Sequence, residues 1–224
     1  MSDKIILASK SKVRKEILDK HNLPCEVKPS NVDEDVVKES LTKELASPEM
    51  ISKNLAELKA NKVSLSHKDR MVLGADSVID LDGEIISKPE SRKEALIILK
   101  KLNGKKHHLI SSVCISKNGS MIWNYTDKAE LTMKSLSEED LKIYLSKIPD
   151  KALYAYNVYQ IEGEGRNLFS NINGDKDTIM GLPVFKIKEY LKNNKVVGHN
   201  TDIFGFETSI KKSQYDVFNK EVLI

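Results

Sequence analysis

Apolar and polar positions along this chain form short blocks whose period changes repeatedly. Ile5–Ala8 is an apolar run inside Lys4–Ser9 and predicts a first strand. Val13, Ile17 and Leu18 then recur at helical spacing and predict the inner face of a helix over Lys12–His21. Pro24–Lys28 reads as a second strand. Two helices follow, over Asp35–Leu45 and Pro48–Ser66, the second carrying Ile51, Leu55, Ala56 and Leu58 at helical spacing. Val72, Leu73, Val78, Ile79, Ile85 and Ile86 make two runs around Leu81-Asp82-Gly83, which predicts a hairpin of Asp-Gly type.

Beyond the hairpin, Ser91 caps a helix to Leu102 that Gly104 ends. His108–Ser116 and Met121–Met133 read as two long strands joined by Lys117-Asn118-Gly119. Ser137 opens a helix to about Ser146, with Glu138, Glu139 and Asp140 in the first turn where the helix dipole favours acids. Ala152–Ile161 alternates like a strand, a last strand is expected near Thr178–Met180, and a helix from Pro183 to about Lys192 completes the pattern. Helices mixed with frequent hairpins imply an α/β fold with a mixed sheet, not a doubly wound parallel one.

Bulk composition narrows the function classes. The chain has 224 residues, 40% hydrophobic and 31% charged, which suits a soluble globular protein with a real core. No stretch approaches the roughly 18 apolar residues of a membrane helix, and the apolar run at the N-terminus is too short for a signal peptide. Cys25 and Cys114 lack metal-ligand spacing and are expected reduced. The cytoplasm is the expected location, with no membrane partner. The net charge of +3 does not argue for nucleic acid, because lysines are spread along the chain among 33 acids. Only Arg14, Arg70, Arg92 and Arg166 are arginine among 36 basic residues.

The predicted hairpin carries chemistry that a plain hairpin does not need. Asp76 sits at the end of its first apolar run, after Gly74-Ala75, and Lys88 closes the returning strand before Pro89. Lys10, Lys12, Arg14 and Lys15 crowd the start of the first helix, where the backbone N–H groups already project positive potential. That placement is favourable only if an anion docks there; a solvated lysine-rich turn is the competing reading. Arg14, in a chain that otherwise writes lysine, points to two-point phosphate contact. Asp33-Glu34-Asp35 either caps a helix or helps hold a divalent cation. Lys59 alone reads as an ordinary helix residue.

Taken in order, these segments resemble the Maf family of nucleoside triphosphate pyrophosphatases, through to about Lys195. Leu7-Ala8-Ser9-Lys10-Ser11 with Arg14 is similar to the family's opening element, Val32-Asp33-Glu34 to its acidic loop, and Leu55-Ala56 to Lys59-Ala60 to its lysine helix. Gly74-Ala75-Asp76 and Ser87-Lys88-Pro89 match its central hairpin, and Asn103-Gly104-Lys105-Lys106-His107 its Gly-Lys-x-His turn. Tyr159-Gln160-Ile161-Glu162-Gly163 and Gly181-Leu182-Pro183 match its two late motifs.

The resemblance implies a mixed, elongated twisted sheet with flanking helices and a nucleotide cleft, similar to Maf and Ham1 proteins. It implies hydrolysis of a nucleoside triphosphate to the monophosphate and pyrophosphate, with Asp76 as the base. Ser9, Arg14, Lys59, Lys88 and Gln160 would bind substrate, and a Mg²⁺ or Mn²⁺ ion would sit near Glu34 and Asp76. Val13, Ser77 and Glu162 occupy the specificity positions and depart from the dTTP/UTP-cleaving pattern, which would carry Arg, Thr and Gln there. Ala155-Tyr156-Asn157-Val158-Tyr159 stands in place of the family's usual Ala-Gly-Ala-Tyr, which implies a changed pocket wall. A non-catalytic nucleotide-binding regulator of cell division is the alternative, since family members are associated with septum formation; Asp76 favours an enzyme. The resemblance is compatible with a homodimer.

Residues 197–224 fall outside this pattern. Gly198-His199-Asn200-Thr201-Asp202 with Gly205-Phe206 resembles a shikimate dehydrogenase element, so the expected organisation is a Maf-like domain over 1–196 and a tail over 197–224, a remnant or cut-off start of a fused domain.

Overall fold

The computed structural model describes residues 4–200, and the chain falls into two units, Met1–Val184 and Phe185–Ile224. In the first, β1 (Ile5–Leu7), α1 (Lys12–Lys20), β2 (Cys25–Val27), α2 (Glu34–Lys43) and α3 (Pro48–Leu65) precede β3 (Val72–Leu81) and β4 (Glu84–Ile86). Next come α4 (Arg92–Leu102), β5 (Lys106–Lys117), β6 (Ser120–Met133), α5 (Glu138–Lys147) and α6 (Asp150–Tyr156). A 3-10 turn (Glu164–Leu168), β7 (Phe169–Asn173) and α7 (Lys176–Ile179) finish it. The last described helix, α8 (Val184–Asn200), belongs to the second unit from Phe185 on and carries a Lys186–Glu189 pair at 3.3 Å. The shikimate-like element continues past Asn200 and so lies largely outside the described residues.

The strands form one sheet in the order β2-β1-β3-β5-β6-β7, with β4 also on β3. β1 is parallel to β2 and β3, and the remaining pairs are antiparallel, so the sheet is mixed as expected. Two-residue turns build its hairpins. Asp82 and Gly83 have φ of 50° and 90°, and Asn118 and Gly119 have 52° and 82°. Positive φ at both central residues matches the right-handed twist of the flanking strands. Ser11, Ser47, Ser91 and Ser137 each cap a helix by accepting from a backbone N–H three residues on.

One helix–strand contact sets up the site. A side chain on Gly74 would lie 2.2 Å from the Ala56 carbonyl oxygen and 2.8 Å from the Ala60 nitrogen, so α3 rests directly on the β3 backbone. Ile51, Leu55, Ala56, Lys59, Ala60 and Val63 form its buried face, whereas Leu58, expected inside, is 41% exposed. A larger cluster, including Ile79, Leu99, Leu109, Leu131, Leu141, Leu153 and Tyr159, joins the sheet to α4, α5 and the segment around α6.

Two expectations about local structure fail, and one strand was not foreseen. Ala152–Ile161 is not a strand: α6 occupies Asp150–Tyr156, followed by irregular chain. The alternation of Tyr154, Tyr156 and Val158 imitates a strand, but Pro149 sits at the N-cap with its φ set at −70° and Arg92 Nε donates to Asp150 Oδ1 at 2.8 Å. The strand expected near Thr178–Met180 is α7 instead, because Asp175 accepts from the Thr178 N–H and caps a turn. Among the described residues the last strand is β7, a short, mostly polar edge that pairs with β6 and gives little hydrophobic signal.

Candidate active site

A cavity of about 910 Å³ opens over β3, large enough for a nucleotide. Its lining combines the loop before α1, the start of α2, Lys59 of α3, the β3–β4 hairpin, the chain after α6 and the residues after α7. Seven basic residues line it (Lys10, Lys12, Arg14, Lys38, Lys59, Lys88 and Lys151) against four acids, Glu34, Asp35, Asp76 and Glu90. That imbalance suits a multiply charged anion.

Asp76 and Lys59 sit at its floor, each about 4% exposed. Lys59 Nζ lies 3.3 Å from Asp76 Oδ1, donates to the Ala75 carbonyl at 3.1 Å, and pairs with Glu34 Oε1. The close seating of α3 at Gly74 puts Lys59 on the strand, which is why a helical lysine ends up buried. Ser52 Oγ donates to the Asp76 carbonyl at 3.0 Å and ties the two elements again. Asp76 Oδ2 is buried with no hydrogen-bond partner. Burial raises the Asp76 pKa above its ordinary value, a shift that Lys59, Lys38 and Arg14 only partly oppose. For Glu34, burial acts upward, but Lys59, Lys38 and Arg14 together outweigh it and the pKa falls. Asp33 is the helix cap, so the two halves of the acidic loop divide: Asp33 accepts from the Val36 N–H and Glu34 reaches the site.

Arg14 is anchored by the protein on one side of its guanidinium. Its Nε donates to the Gly181 carbonyl at 2.9 Å and its Nη2 to Ser77 Oγ at 3.1 Å, bonds that use two of its five N–H donors and leave those of Nη1 and the second of Nη2. Ser77 Oγ in turn meets Ser111 Oγ at 2.7 Å, and Ser111 donates to the Thr178 carbonyl at 2.8 Å. Ser77 is therefore an anchor for the arginine and the α7 segment. Ser9 Oγ accepts from the Ser11 N–H at 3.1 Å and shapes the loop before α1. Lys88 is exposed to the cavity, where the surrounding protein and then Arg14 push its pKa down.

The remaining sequence candidates separate. Val13 and Gln160 line the cavity. Glu162 does not: Lys176 holds its carboxylate at 2.7 Å and Lys20 at 3.8 Å, so it is not poised to read a base. One lining residue, Lys38, escaped the sequence reading, and two others, Tyr159 and Asn157, belong to the stretch expected to alter the pocket wall. Lys38 lies one helical turn after Glu34 and faces the same space, a spacing that the i,i+4 rule could have exposed. Tyr159 is held by His107, Nε2 to Oη at 3.0 Å; burial lowers the His107 pKa to about 4, so the imidazole is neutral. Asn157 follows α6 in an unusual backbone conformation.

The described residues contain no group of three or more His, Cys, Asp or Glu placed to hold a metal, so the chain supplies a pair of carboxylates, Asp76 and Glu34, on one lysine. No described helix is long and apolar enough to cross a membrane.

Known proteins share this sequence closely. A nucleoside triphosphate pyrophosphatase of Pelagibacter ubique is 71% identical over 192 residues, spanning 86% of this chain and 98% of the relative. One of the same name from Ruegeria pomeroyi is 37% identical, covering 88% and 99%. A 7-methyl-GTP pyrophosphatase of Rhizobium etli is 35% identical, covering 84% and 94%. The family model described as Maf-like protein matches residues 4–194, and on that span this chain belongs to the Maf family.

Proposed function

We propose that this protein hydrolyses a nucleoside triphosphate at the α-phosphorus, giving the nucleoside monophosphate and pyrophosphate. The observation that carries the reading is Asp76: a buried carboxylate with one unpartnered oxygen, set in a cavity rich in cations. Asp76 Oδ2 takes the proton of the attacking water as the new P–O bond forms. The bond between the α-phosphorus and the bridging oxygen breaks, and pyrophosphate leaves with the electron pair. Lys59 keeps Asp76 ionised and aligned, while Lys88, Arg14 and Ser9 hold the triphosphate and Gln160 the nucleoside side. Such chemistry needs positioning and charge neutralisation more than covalent help. A sensor has no use for a desolvated base, so Asp76 favours catalysis over passive binding.

Two carboxylates and a triphosphate fit a hard divalent ion, since Mg²⁺ is commonly held by one or two carboxylates plus substrate phosphates. Asp76 and Glu34 would hold Mg²⁺ or Mn²⁺, which supplies further neutralisation of the phosphates. Hydrolysis in ¹⁸O-labelled water tests the point of attack. Label in the monophosphate is expected; label in pyrophosphate would mean attack elsewhere.

The homodimer and the link to septum formation rest on the resemblance alone, and the cytoplasmic location on composition and cysteine usage. The domain boundary near residue 196 is supported by the end of the family match at residue 194. A chain cut after Val196 should keep its pyrophosphatase activity, and neither form should oxidise shikimate; activity lost on truncation would assign the tail to the catalytic domain.

A further inference from the structure

Asn157 has φ 65° and ψ −147°, a combination that is almost exclusive to glycine. It is not glycine, it is only 8% exposed, and it lines the cavity. A non-glycine residue held there points to a function for the side chain. Its Oδ1 accepts from the Val158 N–H at 2.8 Å, which orients the amide and leaves both protons of its NH₂ group to donate.

Position decides what that group meets. Val158 and Tyr159, the next two residues, pack in the cluster that includes Ile79 and Leu109. Ile79 is three residues along β3 from Asp76, about 10 Å at roughly 3.3 Å per residue. The cavity wall on this side is apolar, with Ile79, Leu109, Ile161 and Ile179, in contrast to the cations around Asp76. Phosphates belong at the Asp76 end and the base at the Asn157 end. Glu162, the acid that might have read the base, is withdrawn onto Lys176 and Lys20.

Resting on the triphosphate-hydrolysis reading, we infer that the Asn157 amide donates to a ring carbonyl of the base and selects keto bases over amino bases. Guanine, uracil and thymine present such an oxygen; adenine and cytosine place an amino donor at the corresponding edge, and two donors repel.

The test compares kcat/KM for GTP and UTP with that for ATP and CTP, and in parallel the Kd of the α,β-methylene analogues. Wild type should favour keto bases about tenfold, the effect of one hydrogen bond. Asn157→Gly, which suits the backbone, should bring the ratio near one in both measurements. Asn157→Asp, which exchanges the donor for an acceptor and repels all triphosphates alike, should invert it. An unchanged ratio in Asn157→Gly overturns the inference. Wild type that binds the analogues with the keto preference but releases no pyrophosphate would overturn the hydrolysis reading and leave base selection standing.

Discussion

The Lys59 ammonium stands 3.3 Å from the Asp76 carboxylate, and both side chains are about 5% exposed. The pair is the pivot of the site, because burial raises the Asp76 pKa and the lysine opposes it. A general base works only when deprotonated. Activity should therefore rise with pH through the Asp76 pKa, with a midpoint above the ordinary 3.8. Asp76→Asn should cost about 10²–10⁴-fold in turnover, abolish that limb and leave binding of non-hydrolysable analogues intact. Near wild-type turnover would remove Asp76 from the mechanism.

Replacing the lysine leaves two carboxylates facing each other. Lys59→Met should destabilise the fold by about 3–5 kcal/mol at neutral pH, as expected when one partner of a buried pair is lost. Without the ammonium the Asp76 pKa climbs further, so the protonated form takes over sooner. The deficit relative to wild type should then shrink as the pH falls. Urea unfolding at several pH values measures this; a deficit independent of pH would mean that Lys59 contributes packing alone.

Gly74→Ala tests the seating of α3. The added methyl meets the Ala56 carbonyl oxygen at 2.2 Å, and backbone cannot yield as a flexible side chain does. Overpacking of this kind costs about 1–3 kcal/mol. The shifted helix also carries Lys59 away from Asp76, so kcat should fall more than analogue affinity. Wild-type stability would show that the contact is looser than described.

Arg14→Lys removes two directed bonds at once, to Gly181 and Ser77, which one ammonium cannot replace with the same fork. Loss of such charge-assisted bonds predicts roughly 10–100-fold lower kcat/KM. Ser77→Ala should show a smaller loss of the same kind, through the same anchor. Unchanged kinetics in Arg14→Lys would place Arg14 outside the substrate site.

Much of this was readable in advance because it is local. The Asp82-Gly83 and Asn118-Gly119 turns, the serine caps and the placement of Asp76 beside small residues all follow from neighbouring residues. What failed depended on distant partners. Lys59 reads as a surface lysine until Gly74 brings the helix onto the strand, and Glu162 reads as a base-facing acid until Lys176 and Lys20 claim it. The aromatic alternation before Asn157 suggested a strand because Arg92, which donates to the Leu145 and Ile148 carbonyls and to Asp150, lies more than fifty residues earlier in sequence.

The Arg14–Gly181 bond joins residues 167 positions apart, so the cavity wall closes between the first helix and nearly the last part of its domain. Ribosomes add roughly 5–20 residues per second, which separates the birth of the two partners by about ten to thirty seconds. Throughout that interval the nascent chain carries Asp76, Lys59 and the loop before α1 without the clasp that holds them around a nucleotide. A chain interrupted before Gly181 would thus lack the bond that anchors Arg14, and the cavity wall is complete only as synthesis of the domain ends.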